Sequence, residues 1–322
     1  MRVGAIDCGT NSIRLLIADV GETPGSPGAL RDVVREMRVV RLGAGVDATG
    51  WLSQEALDRT LDAVGDYAAA LEEHGAERVR MVATSATRDA GNRDTFTDGI
   101  RERLGIDPEV ISGEEEARLS FLGAASAVDP SGAGRDLVVD IGGGSTEFVL
   151  GDRAGVIGST SVNIGCVRLT ERYLSSNPPS RAQVERLIGD VDDAVTTALR
   201  TVPIPTATRL IGVAGSVTTV TAQALGLAEY DAARIHGAEL ASGRVIEAAN
   251  ALTRMTRAER AELGFMHEGR VDVIGAGAQI WARIVERVGE LTHGRVDTTV
   301  TSEHDILDGI ALSQVGDGQR KG

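Results

Sequence analysis

Two short segments carry residue types that phosphate chemistry needs. Asp7-Cys8-Gly9-Thr10-Asn11-Ser12 and Asp140-Ile141-Gly142-Gly143-Gly144-Ser145 share the spacing Asp-x-Gly-x-x-Ser, and each lies between two apolar runs. Glycines let the backbone curl until several amides point at one spot, which makes a nest for an anion. Hydroxyl and amide side chains at Thr10, Asn11, Ser12 and Ser145 add donors. Aspartate would repel a phosphate unless a cation lay between them, and Mg2+ takes oxygen ligands and bridges carboxylate to phosphate. One such turn has ordinary hairpin composition. Its matched recurrence favours the functional reading and suggests a duplicated architecture.

Three other places could join this chemistry. Val213-Ala214-Gly215-Ser216 ends an apolar run and opens a helical pattern. Helix N-termini bind anions through free amides, and a plain Ser-capped helix reads the same way. Ser112-Gly113-Glu114-Glu115-Glu116-Ala117-Arg118 has the capping-box spacing at Ser112 and Glu115, and its acids suit a helix N-terminus. Glu116 lies one position beyond what capping explains. It is either a solvated surface acid or, facing a cleft, a base for an attacking water. Arg14, Arg88, Arg93, Arg168 and Arg270 are the cations near these segments, and a guanidinium fork matches phosphate. His236, His267 and His304 are far apart in sequence, and neither H-E-x-x-H nor C-x-x-C occurs, so zinc is not expected. G-x-S-x-G and the Walker pattern are absent too.

Hydrophobic periodicity supplies the elements that must hold these residues. Strands are expected at 3–6, 14–18 and 33–40, with a Gly/Pro hairpin tip at 21–28. A helix follows at 52–74, capped by Ser53 and closed by Gly75, then a strand at 78–83, a helix at 94–104, a strand at 109–111 and a helix at 113–127. Small residues at 130–134 mark a boundary, giving domains 1–128 and 129–322. The opening pattern then recurs as strand 137–141, turn 142–145 and strand 147–150. Helices at 181–199, 216–225, 243–252 and 270–288 alternate with strands at 209–213 and 295–300. A last helix at about 303–314 is expected to pack back on the first domain, ahead of a polar tail.

Composition narrows the class. With 42% hydrophobic and 25% charged residues over 322 positions, the chain can build a real core. A formal charge of −14 makes it a poor binder of nucleic acid or anionic membrane. Two cysteines form no disulfide framework, no apolar stretch reaches the ~18 residues of a membrane span, and no signal peptide is visible. A cytoplasmic protein is expected.

Taken in order, the motifs resemble those of the exopolyphosphatase/guanosine-pentaphosphate phosphatase (Ppx/GppA) family. They are the segments 6–15, Ala83-Thr84-Ser85-Ala86-Thr87-Arg88, 111–118, 140–147, Gly165-Cys166-Val167-Arg168-Leu169-Thr170-Glu171 and Arg270-Val271-Asp272-Val273-Ile274. The resemblance implies two α/β domains of the actin/Hsp70/sugar-kinase (ribonuclease H-like) type with an active cleft between them. It implies removal of the terminal phosphate of polyphosphate, guanosine pentaphosphate or both. The cofactor would be Mg2+, with Mn2+ as its alternative and a monovalent cation as an optional addition.

Carried over residue by residue, Glu116 matches the catalytic base, and Asp7, Asp140 and Glu147 match acids at the metal. Gly9, Thr10, Asn11 and Ser12 match the first phosphate loop, and Gly142, Gly143, Gly144 and Ser145 the second. Arg88 and Arg270 match cations that grip phosphate, and Gly215 and Ser216 join the phosphate-binding set on the helix-start reading above. Within Ser302-Glu303-His304-Asp305-Ile306-Leu307-Asp308-Gly309, Leu307 and Asp308 replace an Arg-Glu pair common in the family, which leaves that segment without its cation. A C-terminal helical domain like that of longer members, and with it a grip on long polymer, is not expected. A positive groove within a negative body then favours short chains or nucleotides. Partners would be these substrates and a second copy in a homodimer, with no nucleic acid and no membrane. An ATP-dependent kinase of the same superfamily and a non-catalytic polyphosphate or alarmone sensor are the rival readings.

Overall fold

The computed structural model describes residues 1–21, 30–127 and 134–316. All but the first residue of the expected hairpin tip at 21–28, all but the last of the expected linker at 130–134, and the end of the polar tail lie outside them. The chain forms two compact units, Met1–Ser126 with Asp305–Gly322, and Ala127–His304.

In the first unit the strands are β1 (Arg2–Cys8), β2 (Ser12–Val20), β3 (Leu30–Val39), β4 (Arg78–Ala83) and β5 (Glu109–Val110). They lie in the order β3-β2-β1-β4-β5, with β1, β2 and β3 an antiparallel meander and β4 and β5 parallel to β1. Central β1 is buried on both faces, which is why it reads as a nearly unbroken apolar run. Alternation along the strands sorts the side chains. Ile6, Cys8, Ile13, Leu15 and Ile17 share a core with Leu57, Leu61, Val64 and Tyr67 of helix Gln54–Glu73. Val3, Ala5, Leu16 and Ala18 pack instead with Ile306, Leu307, Ile310 and Ala311 of helix Ile306–Gly316. Ser53 caps the long helix by accepting the Ala56 amide.

The second unit repeats this plan with β6 (Asp136–Ile141), β7 (Thr146–Asp152), β8 (Gly155–Val162), β9 (Arg209–Val213), β10 (Glu239–Ala241) and β11 (Thr298–Thr301). Its order is β8-β7-β6-β9-β11-β10, again a three-strand meander followed by parallel β9 and β11, with antiparallel β10 added at the edge. Helices Arg181–Ala198, Ala214–Leu225, Ser242–Arg254 and Ile274–Leu291 cover the sheet.

Five differences from the sequence reading matter below. The helix expected from 270 begins at Ile274, and Arg270 ends a tight 3-10 turn, Glu268–Arg270. The strand expected from 295 begins at Thr298, and the last helix at Ile306. Neither β8 nor the eight-residue helix Cys166–Tyr173 is expected from sequence, because glycine and hydroxyl residues dilute the first and the second is too short for periodicity to register. Among the described residues, no helix is long and apolar enough to cross a membrane.

Helices Gly113–Ala127 and Ile306–Gly316 approach backbone to backbone. A Cβ at Gly123 would sit 1.8 Å from the Asp305 carbonyl oxygen, and one at Gly309 2.0 Å from that of Leu119. Gly309→Ala should therefore destabilise by about 1–3 kcal/mol or more, because a carbonyl in a helix cannot step aside. Gly65→Ala, in helix Gln54–Glu73 with nothing within 4 Å of the added methyl, should stabilise by up to ~1 kcal/mol. Opposite shifts of the urea midpoint would verify the pair.

Candidate active site

Each hairpin turn is closed by the same bond. Gly9 N donates to Ser12 O at 2.9 Å, and Gly142 N donates to Ser145 O at 3.0 Å. The bond sets the strand register, so that Asp7 pairs with Arg14 across β1–β2 and Asp140 with Glu147 across β6–β7.

In the first unit the amides of Val40 and Arg41 donate to Asn11 O, and Gly43 N donates to Thr10 O. The Thr10 and Ser85 hydroxyls lie 2.9 Å apart. These four bonds tie the turn to its surroundings. Asp7 Oδ2 accepts Arg14 Nε at 3.0 Å and Nη2 at 2.7 Å, while Arg14 Nη1 pairs with Asp305. Burial pushes the Asp7 carboxyl above its ordinary value, and Arg14 opposes that rise. Asp7 Oδ1 is buried with no hydrogen-bond partner.

Glu116 is only 6% exposed. Its carboxylate Oε2 accepts Arg88 Nη1 at 2.9 Å, and the same nitrogen donates to Ile111 O at 3.0 Å. Arg88 belongs to the single turn Ser85–Asp89 that follows β4, and Glu116 to the helix that follows β5. The ends of two parallel strands therefore deliver the pair. Glu115 goes elsewhere. Its amide donates to Ser112 Oγ at 3.2 Å, but its carboxylate binds Arg118 and Arg80. Only half of the expected capping box forms, since two guanidiniums outbid one amide. Those bonds, Arg118 first, hold the Glu115 carboxyl below its ordinary value. Adjacent acids differ by about 100° around a helix, so one can serve the surface and the next the interior.

In the second unit helix Cys166–Tyr173 grips the glycine turn. Cys166 N donates to Gly142 O at 3.0 Å, and the Val167 and Arg168 amides donate to Gly143 O at 2.9 and 3.1 Å. Arg168 Nε donates to Gly144 O at 2.7 Å, so this cation braces the loop backbone. Asp140 and Glu147 are buried, and Glu147 Oε1 accepts Ser161 Oγ at 2.6 Å. Ser145 Oγ is buried without a partner. Elsewhere in the unit Arg270 lies over Gly215, where a Cβ would meet its Cζ at 2.4 Å. Its Nη1 donates to Thr219 Oγ1 at 3.3 Å. Gly277 allows Ser216 to approach, since a Cβ there would stand 2.2 Å from Ser216 Oγ. Ala214 holds φ 69°, a left-handed conformation that costs a residue other than glycine about 1–3 kcal/mol.

The structure thus groups Asp7 with Arg14, and Glu116 with Arg88, in one unit. It groups Asp140 with Glu147, and Gly215 with Arg270, in the other. Arg93 is exposed at the start of helix Arg93–Leu104. The His236 and His304 rings, distant in sequence, meet edge to face at 5.0 Å. Among the described residues no group of three or more His, Cys, Asp or Glu forms a ready cation cage. Burial raises both thiols, Cys8 and Cys166, which suits inert packing residues. Sequence reasoning missed Ser161, which lies on the unexpected strand, and Asp305, whose partner Arg14 is 291 positions away.

Acid-glycine-hydroxyl turns recur on two mixed sheets, so the fold is α/β with one plan used twice. The Ppx/GppA phosphatase family model matches residues 18–313. Exopolyphosphatase 2 of Mycobacterium tuberculosis is 51% identical over 98% of this chain and 99% of its own length. A crystal structure of an exopolyphosphatase-like protein superposes with a TM-score of 0.92 at 46% identity, covering 98% and 99% of the two chains. The Aquifex aeolicus Ppx/GppA family member superposes with a TM-score of 0.79 at 28% identity, covering 99% of both. The chain belongs to the Ppx/GppA phosphatase family.

Asp305 is 3% exposed; besides Arg14 it accepts the Leu307 amide at 3.0 Å. Asp305→Ala should destabilise the protein by about 1–3 kcal/mol, because it takes one of two carboxylate partners from Arg14, which keeps Asp7, and the acceptor from the Leu307 amide. Urea unfolding followed by circular dichroism reads this, and Asp305→Asn, which can keep the Leu307 bond, should cost less.

Proposed function

We propose that the protein is an exopolyphosphatase: it hydrolyses the terminal phosphoanhydride of inorganic polyphosphate, of guanosine pentaphosphate, or of both, with Mg2+ as cofactor. The observation that carries this reading is Glu116, buried against Arg88 at the position matching the family's base. The 51% identity to a named exopolyphosphatase supports the substrate class. A 42% identical stretch of 169 residues in a Photobacterium profundum guanosine-5'-triphosphate,3'-diphosphate pyrophosphatase supports the nucleotide option.

The donor set fits a hard divalent cation. Asp140 and Glu147 pair across two strands, both nearly free of solvent, and the turn between them holds an unpartnered hydroxyl at Ser145. When bound, Mg2+ supplies charge that offsets the phosphate oxygens. The protein's own work is binding and proton handling. Arg88 fixes Glu116 by one charged hydrogen bond. Glu116 takes a proton as the water oxygen bonds to the terminal phosphorus, and the bond from that phosphorus to the bridging oxygen breaks. Orthophosphate and a substrate one phosphate shorter leave. In this reading the turn around Gly9 is a phosphate binder of the first unit, and the turn around Gly142 and the guanidinium of Arg270 are phosphate binders of the second.

Positioned bases contribute ~10²–10⁴-fold to rate. Glu116→Gln should lower kcat for phosphate release by that factor with circular dichroism unchanged, and an unchanged kcat would exclude Glu116 as the base. Phosphate release should be measured side by side on short polyphosphate, long polyphosphate, guanosine pentaphosphate and ATP. Turnover without an acceptor separates a hydrolase from a kinase, and binding without turnover identifies a sensor. Rising salt should lower kcat/KM, since arginines that draw in a polyanion against a net charge of −14 are screened first.

A further inference from the structure

Arg270 is aimed by its backbone. Among the described residues its guanidinium makes one hydrogen bond, from Nη1 to Thr219 Oγ1 at 3.3 Å, and no ion pair. Yet it lies so close over Gly215 that a Cβ there would meet Cζ at 2.4 Å. A side chain so rich in rotamers needs a fixed backbone to hold such a place. That backbone is the tight turn Glu268–Arg270.

Two sets of bonds fix the turn. From helix Arg257–Ala261, Arg260 gives Nε to Leu252 O at 2.8 Å, Nη2 to Thr253 O at 3.0 Å and Nη1 to Val271 O at 3.4 Å. Arg257 Nε pairs with Asp272 at 2.5 Å. Both donors are guanidiniums, which stay charged at every physiological pH. The second set belongs to His267. Its carbonyl accepts the Arg270 amide at 2.9 Å, and its Nδ1 accepts the Gly269 amide at 3.1 Å.

Resting on the phosphate role given to Arg270 above, we propose that His267 is a positioning residue for that phosphate: its neutral imidazole caps the turn that aims Arg270 over Gly215, and protonation of Nδ1 undoes the aim. Donation from Gly269 requires the Nδ1 lone pair, so the ring is the neutral tautomer with its hydrogen on Nε2. A second proton enters at that same lone pair, and two N–H groups then face each other. The charged groups around the ring are Glu268 and Arg270 in the turn itself and Arg257, Arg260 and Asp272 behind it. Tyr230, bonded to Glu303 at 2.6 Å, lies near enough to Arg270 to feel its charge. Of these side-chain types only imidazole ordinarily titrates between about pH 5 and 8. Burial, then the Arg270 charge, hold the His267 pKa below its ordinary value, and Glu268 opposes them. The cap is therefore complete at neutral pH and lost as pH falls through that lowered value. An asparagine would cap the same turn without the pH dependence, because its side-chain oxygen accepts the amide two positions on.

Initial rates of the full chain with Mg2+, on whichever of the substrates compared above is turned over, test this. At about pH 7.5 His267→Ala should raise KM by about fivefold with kcat within about twofold, the loss expected of one cap. His267→Asn should keep KM within about twofold of the parent. From about pH 7.5 to about pH 5 the parent's KM should climb about fivefold more than that of His267→Asn. Protonation of the substrate is common to both and cancels in that ratio. Adding His267→Ala to Arg270→Met should raise KM no further. Equal losses in His267→Ala and His267→Asn, parallel pH profiles, or a further rise in the double variant overturn the proposal. A raised KM in Arg270→Met beside an unchanged one in His267→Ala sinks the part given to His267 alone. An Arg270→Met KM equal to the parent's retires the phosphate role of Arg270 and the positioning role with it. Turnover of none of the substrates removes the hydrolase reading on which both stand.

Discussion

One backbone hydrogen bond, made twice, governs where the chemistry can be. The Gly9–Ser12 and Gly142–Ser145 bonds close each hairpin at one length and so fix which residues meet across the strands. Slipping the register by one residue would turn every side chain to the other face of its sheet. Asp7 and Asp140 would then leave their partners and enter a hydrophobic layer. The glycines at these turns are therefore held by register as much as by any ligand. At Gly142, for example, a Cβ would press to 3.1 Å from the very carbonyl that closes the turn.

The same economy appears in how the second turn is braced. A nest for an anion needs amides pointing outward, and its carbonyls must then find donors behind them. The first turn of helix Cys166–Tyr173 provides three backbone donors, and Arg168 adds a side-chain donor. Helix N-terminal amides have no partner within the helix, so using them here satisfies both elements at once. Gly165 lets this contact close, since a Cβ there would stand 2.3 Å from Gly143 O.

Most of the frame was legible in the sequence because most of it is periodic. Helix Gln54–Glu73 carries its cap, its apolar stripe and its terminating glycine in plain order, and β1 and β6 are apolar runs that end in the acid of each motif. The paired turns were visible because a spacing repeated. What stayed hidden depends on contacts between distant positions. Nothing local says that Arg14 meets Asp305, or that Glu115 and Glu116 part company, one to Arg118 and Arg80, the other to Arg88. β8 stayed hidden for another reason. At the edge of its sheet it needs few apolar residues, so Gly155, Gly158, Ser159, Thr160 and Ser161 suffice.

The segment around Asp308 shows how a departure from a family pattern can be read physically. Asp308 is fully buried and bonds Arg35 of β3 at 2.6 Å, while its other oxygen accepts the Asp305 amide at 3.0 Å. Asp305 in turn holds Arg14 and caps Leu307. Two acids three residues apart therefore start helix Ile306–Gly316 and bind it to two strands of the first sheet. Acids at a helix N-terminus also suit its dipole, where a cation would not. The missing arginine is thus no gap in the first unit. Its stretch of chain serves as a carboxylate clamp, and through Arg14 that clamp reaches the carboxylate of the first turn. The last helix and Asp7 consequently share one cation, which ties the stability of the fold to the geometry of the site.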